Sequence, residues 1–469
     1  MPLLSKASRR LQSVTEIDAL LRELDEWFKD WTGRDVHEDG SLRGQYRTQL
    51  QAVNAEVQGA ATSLRDSIAN LGIEGDARAV YGEFGRADRE ILWLWRVFYF
   101  FRDKFQQRED ARFSGVLRAA DEVVWSCHRP FFPAQLKEVA IPAPLPYIKA
   151  EFSPSALRQD QRQALDRKDD DFVIVKEAFR NLPVPLLAIP ITAVNNPWAL
   201  VLVGHEAGHI LEPLVEVDFN DAFRGLLREA IDKMQGSEED QDTWSGWGDE
   251  IFADLYSVLT MGPWAVWAMA QFEAADDQAS AERRFVYPAP CVRLQLMAAL
   301  ANRFGLVTEI PEAPAVLPPE TARDSAYVDT IADAIVAAPQ IKTLAVSLSF
   351  SKGRYEPKDE AGSFGEVEQW NRHFGKAQAG LPASGQVRSA RMAAAGTAKA
   401  WSETIFEDDS ASARVALRDR SIRRIAAAGP EGVRSATAIA KKEGEAGKSL
   451  LQTVREADRL LREADAGTR

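Results

Sequence analysis

The sequence predicts a mainly helical α+β protein in which N- and C-terminal helical regions flank a central segment with a small sheet. Three observations carry that expectation. Apolar residues recur at helical spacing through the early part of the chain, proline-punctuated extended runs are confined to the region after residue 140, and the last stretch is rich in alanine. A hydrophobic fraction of 45% over 469 residues is ample for at least one large core.

Residues 1–135 read as the N-terminal helical region. Leu11, Ile17, Leu20, Leu21, Leu24 and Trp27 fall at helical spacing, and further helices are expected over 42–71 and 76–106. The densest apolar run, residues 91–101, is too short to span a bilayer and is interrupted by Arg96, so it reads as a buried helix. His37 and His128 stand alone in this region and read as ordinary histidines.

Residues 136–310 read as the central domain. Residues 141–148, 172–175 and 186–191 have the composition of strands, with prolines confining some to edge positions. The last of these is expected either to receive an extended substrate by strand addition or to serve only as core sheet. One helix is then expected from an Asn196 cap, with Pro197 in its first position, to Glu212, where Pro213 stops it. Residues 198–203 are apolar on every side, the pattern of a helix inside a domain.

Out of that apolar helix come His205, Glu206 and His209. Histidines four apart project from one face, so both imidazoles can reach a zinc ion at about 2.0–2.1 Å, with the adjacent glutamate placed to take a proton from its water. Burying three unpaired polar groups on such a helix would otherwise be costly. A catalytic site needs a third protein ligand. The pattern with glycine at 212 and histidine at 215 fails, because Glu212 and Val215 stand there. A second amphipathic helix over 247–259 presents Glu250 and Asp254 on one face. Glu250 is read as the third metal ligand and Asp254 as the group that orients a ligand histidine through its far N–H. Glu216, Asp218 and Glu229 are alternative ligands, and the acidic stretch 236–242 reads as a loop that either gates the cleft or, more simply, keeps the surface solvated.

The segments around His205–His209, Glu250–Asp254 and Tyr287–Leu294 together resemble the gluzincin metallopeptidases, in particular the branch that includes the CaaX prenyl proteases. The resemblance covers about residues 180–305. It implies a zincin-like catalytic core, one bound Zn²⁺, and a third segment that contacts substrate or stabilises the oxyanion. Tyr287 stands where that family carries histidine, and a tyrosine hydroxyl can still donate to an oxyanion. Arg293 either shares that role or pairs with Asp254 as scaffold.

Residues 311–386 read as a linker and a mixed segment that can pack on the core. Within it, 311–319 is proline-rich, the 325–338 helix and the apolar run 343–350 follow, and 352–386 is rich in turn formers with His373 in no pattern. Residues 387–469 read as a helical tail whose Arg418, Arg420, Arg423, Arg424, Lys441 and Lys442 suit a partner-binding arm or, more simply, a solvated face. The stretch 444–449 fails as a phosphate loop because Lys442 occupies the position of the first glycine.

A net charge of −13 argues against nucleic acid as a partner. No leader-like N-terminus or span-length apolar run is visible, and Cys127 and Cys291 form no framework or metal spacing, so a cytoplasmic location is expected. The expected activity is zinc-dependent hydrolysis of a peptide bond in a peptide or protein substrate, with Glu206 as general base and the helical flanks open to a protein partner. A zinc hydrolase of a non-peptide bond, or a non-enzymatic helical protein with a vestigial site, are the alternatives.

Overall fold

In the computed structural model the described residues are 4–34, 47–132, 143–158, 182–216, 218–306, 308–348, 389–407 and 411–428. Helices α1 (Lys6–Arg34), α2 (Arg47–Ala69) and α3 (Ala77–Gln106) share an aromatic-rich core. In α3 the buried residues Phe84, Ile91, Leu94, Phe98, Phe101 and Phe105 recur at helical intervals, which turns one continuous stripe toward α1 and α2. Trp27 of α1 meets Phe98 and Phe105 edge-on at 5.6 and 5.4 Å. Asp76 starts α3 by accepting the Ala79 N–H.

Helix α4 (Ala111–His128) turns away from this bundle. Its buried Val116, Leu117, Val123 and Val124 belong to a second, larger core built around the helices that carry the histidines. The 1–135 region expected from sequence thus contributes to two cores.

Between the cores lies a three-stranded sheet of β1 (Leu145–Lys149), β2 (Ser155–Leu157) and β3 (Leu186–Pro190), in the order β1-β3-β2. β1 runs parallel to β3 and β2 antiparallel to it. The two-residue period of a strand explains how one sheet serves both sides. Leu145 and Leu186 enter the N-terminal core, whereas Ile148, Leu187 and Ile189 enter the larger one. Arg108 locks the junction. Its guanidinium grips Asp121 of α4 through two bonds of 3.2 and 2.7 Å and donates to the Pro146 carbonyl at 2.9 Å.

This topology decides between the two roles expected for residues 186–191 in favour of core sheet. β3 is the central strand, hydrogen-bonded on both sides and buried along its length, so residues 186–191 have no free edge for an added strand. Alternation of side chains says which face a strand buries but not its place in the sheet order. Residues 172–175, His37 and His373 lie outside the described residues.

The histidine-bearing segment is also wound differently from the single helix expected. Residues Pro197–Leu202 form a 3₁₀ helix that passes into α5 (Val203–Leu211), and Glu212–Leu214 close a further 3₁₀ turn. Asn196 does not cap it; the side-chain amide donates to the Thr192 carbonyl at 3.1 Å, closing the turn before it. After α6 (Phe219–Lys233) the acidic stretch 236–242, expected as loop, enters α7 (Glu238–Gly246) instead. Ser237 accepts the Asp240 N–H, and three acids in the first turn suit the helix dipole.

Helices α8 (Gly248–Met261), α9 (Pro263–Phe272), α10 (Asp277–Ala281), α11 (Pro290–Arg303), α12 (Pro319–Ala337) and α13 (Pro339–Leu348) complete the central layer. The final described helices, α14 (Ala390–Glu407) and α15 (Ala411–Ala428), pack in the larger core beside α4 and the 3₁₀ segment. Ala393, Ala394 and Ala395 are fully buried there. The alanine-rich composition of α14 permits close approach, while Arg418, Arg420 and Arg424 of α15 are half-buried and Arg423 is exposed. The residues beyond 428, with Lys441, Lys442 and the 444–449 stretch, lie outside the described residues. Among those described, no single helix is long and apolar enough to cross a membrane.

Removing residues 389–469 therefore uncovers apolar surface of α4 and the 3₁₀ segment. The truncated protein is expected to lose its cooperative thermal transition or melt at least several degrees lower by circular dichroism. An unchanged transition would mean that α14 and α15 add nothing to the core.

Candidate metal centre

The site rests on the crossing of α5 and α8. Two glycines of α5, Gly204 and Gly208, face α8 where the helices touch. A Cβ at 208 would lie 2.7 Å from the Ala253 Cα and 3.0 Å from the Tyr256 Cβ, and one at 204 would lie 2.9 Å from Thr260 Oγ1. Side chains there would force the helices apart. The histidines sit one position after each glycine, at 205 and 209, so the face that lets α8 approach adjoins the face that carries the imidazoles.

Close approach brings Glu250 of α8 to both histidines. Its Oε2 lies 3.3 Å from His205 Nε2 and 3.3 Å from His209 Nε2, while the two Nε2 atoms are 3.1 Å apart. Tetrahedral coordination with bonds of about 2.0–2.1 Å sets ligand atoms about 3.3 Å from one another, so this triangle has the size a small divalent ion requires. Glu250 Oε2 is buried without a well-aligned hydrogen bond, as expected of an oxygen shaped for a different partner. Among the described residues these three form the one group of His, Cys, Asp or Glu side chains that could hold a metal ion. Of the alternative ligands, Glu216 instead accepts from Gln340 at 2.7 Å, and Asp218 precedes α6 in a left-handed conformation at φ 62°; neither these nor Glu229 joins the group.

Asp254, one turn along α8, lies 2.8 Å from His205 Nδ1. An ionised carboxylate only accepts, so Nδ1 keeps a proton toward Asp254, and it is Nε2, facing Glu250, that offers a lone pair once its own proton has left. Asp254 is itself held by Arg293 of α11, whose Nε and Nη2 donate to it at 2.7 and 2.8 Å. Arg293 gives its remaining nitrogen, Nη1, to Glu273 at 3.0 Å, and Glu273 also meets Arg284 at 2.8 Å. Of the two roles left open for Arg293, the geometry shows the pairing with Asp254. The Tyr287 ring packs against the same guanidinium, 4.8 Å from its carbon. Among the described residues its hydroxyl has no hydrogen-bond partner.

These surroundings set the protonation states. Burial alone would push the His205 imidazolium down, but the carboxylates of Asp254 and Glu250 outweigh it and hold the pKa up to about 10. Burial opposes ionisation of Glu250 and Asp254, yet the histidines beside the first and Arg293 with His205 beside the second keep both below the usual carboxylate range. Glu206 is different: burial raises its carboxyl, with His205 and His209 opposing only in part. Burial and the nearby Glu250 push the Tyr287 hydroxyl up to about 12, so it keeps its proton at neutral pH. His128 takes no part. It is buried against Phe132, and burial with Arg129 lowers its pKa to about 3.

The triad opens into a cleft of about 730 Å³ whose walls include Glu206, Tyr287, Arg284 and residues 152–156. Sequence reasoning missed Gly204, Gly208, Glu273, Arg284 and the β2 wall. The glycine pair had a visible signal, a four-residue glycine spacing interleaved with the four-residue histidine spacing; the others are brought in by tertiary structure alone. Comparison of the chain with protein-family models, curated proteins and solved structures finds no match.

Two outcomes follow from this geometry. Gly208→Ala should cost about 1–3 kcal/mol of stability through overpacking and abolish stoichiometric metal binding, read by calorimetry and metal analysis of the purified variant. Full metal occupancy in that variant would refute the close-crossing account. Metal affinity should also rise with pH between about 6 and 9, roughly tenfold per unit, because a proton held on His205 up to about 10 must leave before a metal can bind. Competition titrations with a chelator across that range would check the slope.

Proposed function

We propose that the protein is a zinc-dependent metallopeptidase. The observation that carries this reading is the carboxylate of Glu250 within 3.3 Å of both imidazole Nε2 atoms, inside a cleft that also presents Glu206. Two imidazoles and one carboxylate, with room for a fourth ligand, suit zinc, and the gluzincin-like motifs agree with that donor set. Zinc held there supplies a Lewis acid that brings the pKa of water toward 7 and polarises a carbonyl.

The remaining chemistry belongs to the chain. Glu206, its basicity raised by burial, takes the proton from the attacking water and returns it to the leaving amine. The Tyr287 hydroxyl donates to the oxygen of the scissile carbonyl as charge develops there. Arg293, which donates to Asp254 and Glu273, positions His205 through Asp254. An extended peptide has a strand to align on: β2 pairs only with β3 among the described residues, and Ser155 and Ala156 line the cleft.

Glu206→Gln should retain one zinc per chain and lose at least about a thousandfold in kcat on a cleaved peptide, whereas Glu250→Gln should lose the metal itself. Peptide-library digestion with zinc analysis of each variant decides the matter. Turnover by Glu206→Gln at the unmodified rate would remove the general-base assignment, and an absence of zinc in the unmodified protein would remove the reading as a whole.

A further inference from the structure

We propose that Arg284 reads a carboxylate on the substrate, so that the cleft selects peptides bearing one, either an acidic side chain or a free C-terminus. This rests on the peptidase reading and extends it to the choice of substrate.

Arg284 lines the same cleft as His205, Glu206 and Glu250. Its side chain is 42% exposed, in contrast to 4% for Arg293. One contact pins it, the 2.8 Å approach of Nη1 to Glu273 Oε2. Glu273 is its only side-chain partner among the described residues, and the other Glu273 oxygen already receives Arg293. A guanidinium carries five donors in a planar fork that matches a carboxylate. Arg284 is therefore oriented at one end and has donors left for a ligand in the cleft.

The backbone beneath it is fixed as well. The preceding residue, Arg283, turns into the body of the protein and grips Asp324 at 2.6 and 2.7 Å, and the Arg284 N–H donates to the Tyr287 carbonyl at 3.3 Å. Consecutive arginines thus do opposite work: one anchors the loop, the other faces the cleft. A cation positioned before binding spends little entropy on ordering. Nearby walls are apolar, with Phe152 stacked on Phe272 at 5.1 Å and Met269 beside them in the lining. A carboxylate next to an apolar side chain fits this combination.

The test uses the zinc-loaded full chain carrying Glu206→Gln and fluorescein-labelled peptides of one apolar sequence. They differ in Glu against Gln, placed in turn at each position, and in a free against an amidated C-terminus. Fluorescence anisotropy should show at least one carboxylate peptide binding roughly ten- to a hundredfold tighter than its neutral counterpart. Preference for internal Glu identifies the side chain as the source, and preference for the free terminus identifies the α-carboxylate. Adding Arg284→Ala should erase the discrimination, Arg284→Lys should keep part of it, and Arg284→Glu should invert it. Equal binding of all peptides, no detectable binding of any, or discrimination that survives Arg284→Ala overturns the proposal. Turnover of the same peptides by the zinc-loaded protein with Glu206 intact is scored separately. Selective binding without any cleavage retires the peptidase reading while leaving the role of Arg284 standing.

Discussion

The distance between α5 and α8 is the constraint on which the site depends. Packed helices ordinarily keep their axes about 8–10 Å apart, with side chains filling the space between. Gly204 and Gly208 remove those side chains along one strip, and α8 answers with Ala253 opposite Gly208 and with Ser257 and Thr260 opposite Gly204. Because the strip is flanked by His205 and His209, the same approach that packs the core carries the Glu250 carboxylate to both imidazoles. Packing and ligand geometry are one event here. A methyl group at either glycine would not touch a ligand, yet it would change the separation on which coordination depends.

Once the helices are close, buried charge becomes the next problem. Ionised groups taken out of water cost several kcal/mol each unless each meets an opposite charge in good geometry. The protein meets this with a chain of alternating groups: His205, Asp254, Arg293, Glu273 and Arg284, each within 3.0 Å of the next. Four of the five are buried, and the last is half exposed in the cleft. Such a chain resists rearrangement, because withdrawing any member leaves its neighbours desolvated and unpaired. It also holds the ring of His205 at one end and the guanidinium of Arg284 at the other.

How far the sequence could be read follows from the range over which each feature is encoded. His205, Glu206 and His209 are legible because one helical turn brings them together, and Glu250 with Asp254 for the same reason on α8. The crossing of the two helices is a tertiary fact, foreshadowed only by the glycine spacing. Arg293 has two possible roles by sequence, since nothing local distinguishes a guanidinium facing substrate from one facing Asp254. The same limit explains β3, whose apolar residues suit an edge or a centre equally. It also explains α14, whose alanines suit a solvated face or a tight buried contact. The 236–242 stretch is ambiguous for a different reason: its acids suit a solvated loop, but with Ser237 ahead of them they also suit the first turn of a helix, which is what they form in α7.

The electrostatics of the cleft then bear on why a cation belongs there. Glu206, Glu250, Asp254 and Glu273 supply four carboxylates to the site and its supports, while Arg284 and Arg293 supply two guanidinium charges. With both imidazoles neutral, two negative charges remain in a region of low dielectric. Protons can meet part of that deficit, which is the physical meaning of the high pKa of His205 and the raised carboxyl of Glu206. A divalent ion would meet all of it at the one point where the three candidate ligand atoms converge. It would also free Glu206 to ionise, because a positive charge beside it would offset the desolvation that otherwise favours its neutral form. Metal binding at this triad and ionisation of Glu206 would thus be coupled through charge balance, and the residues placed to grip an ion would also set the state of the carboxyl beside it.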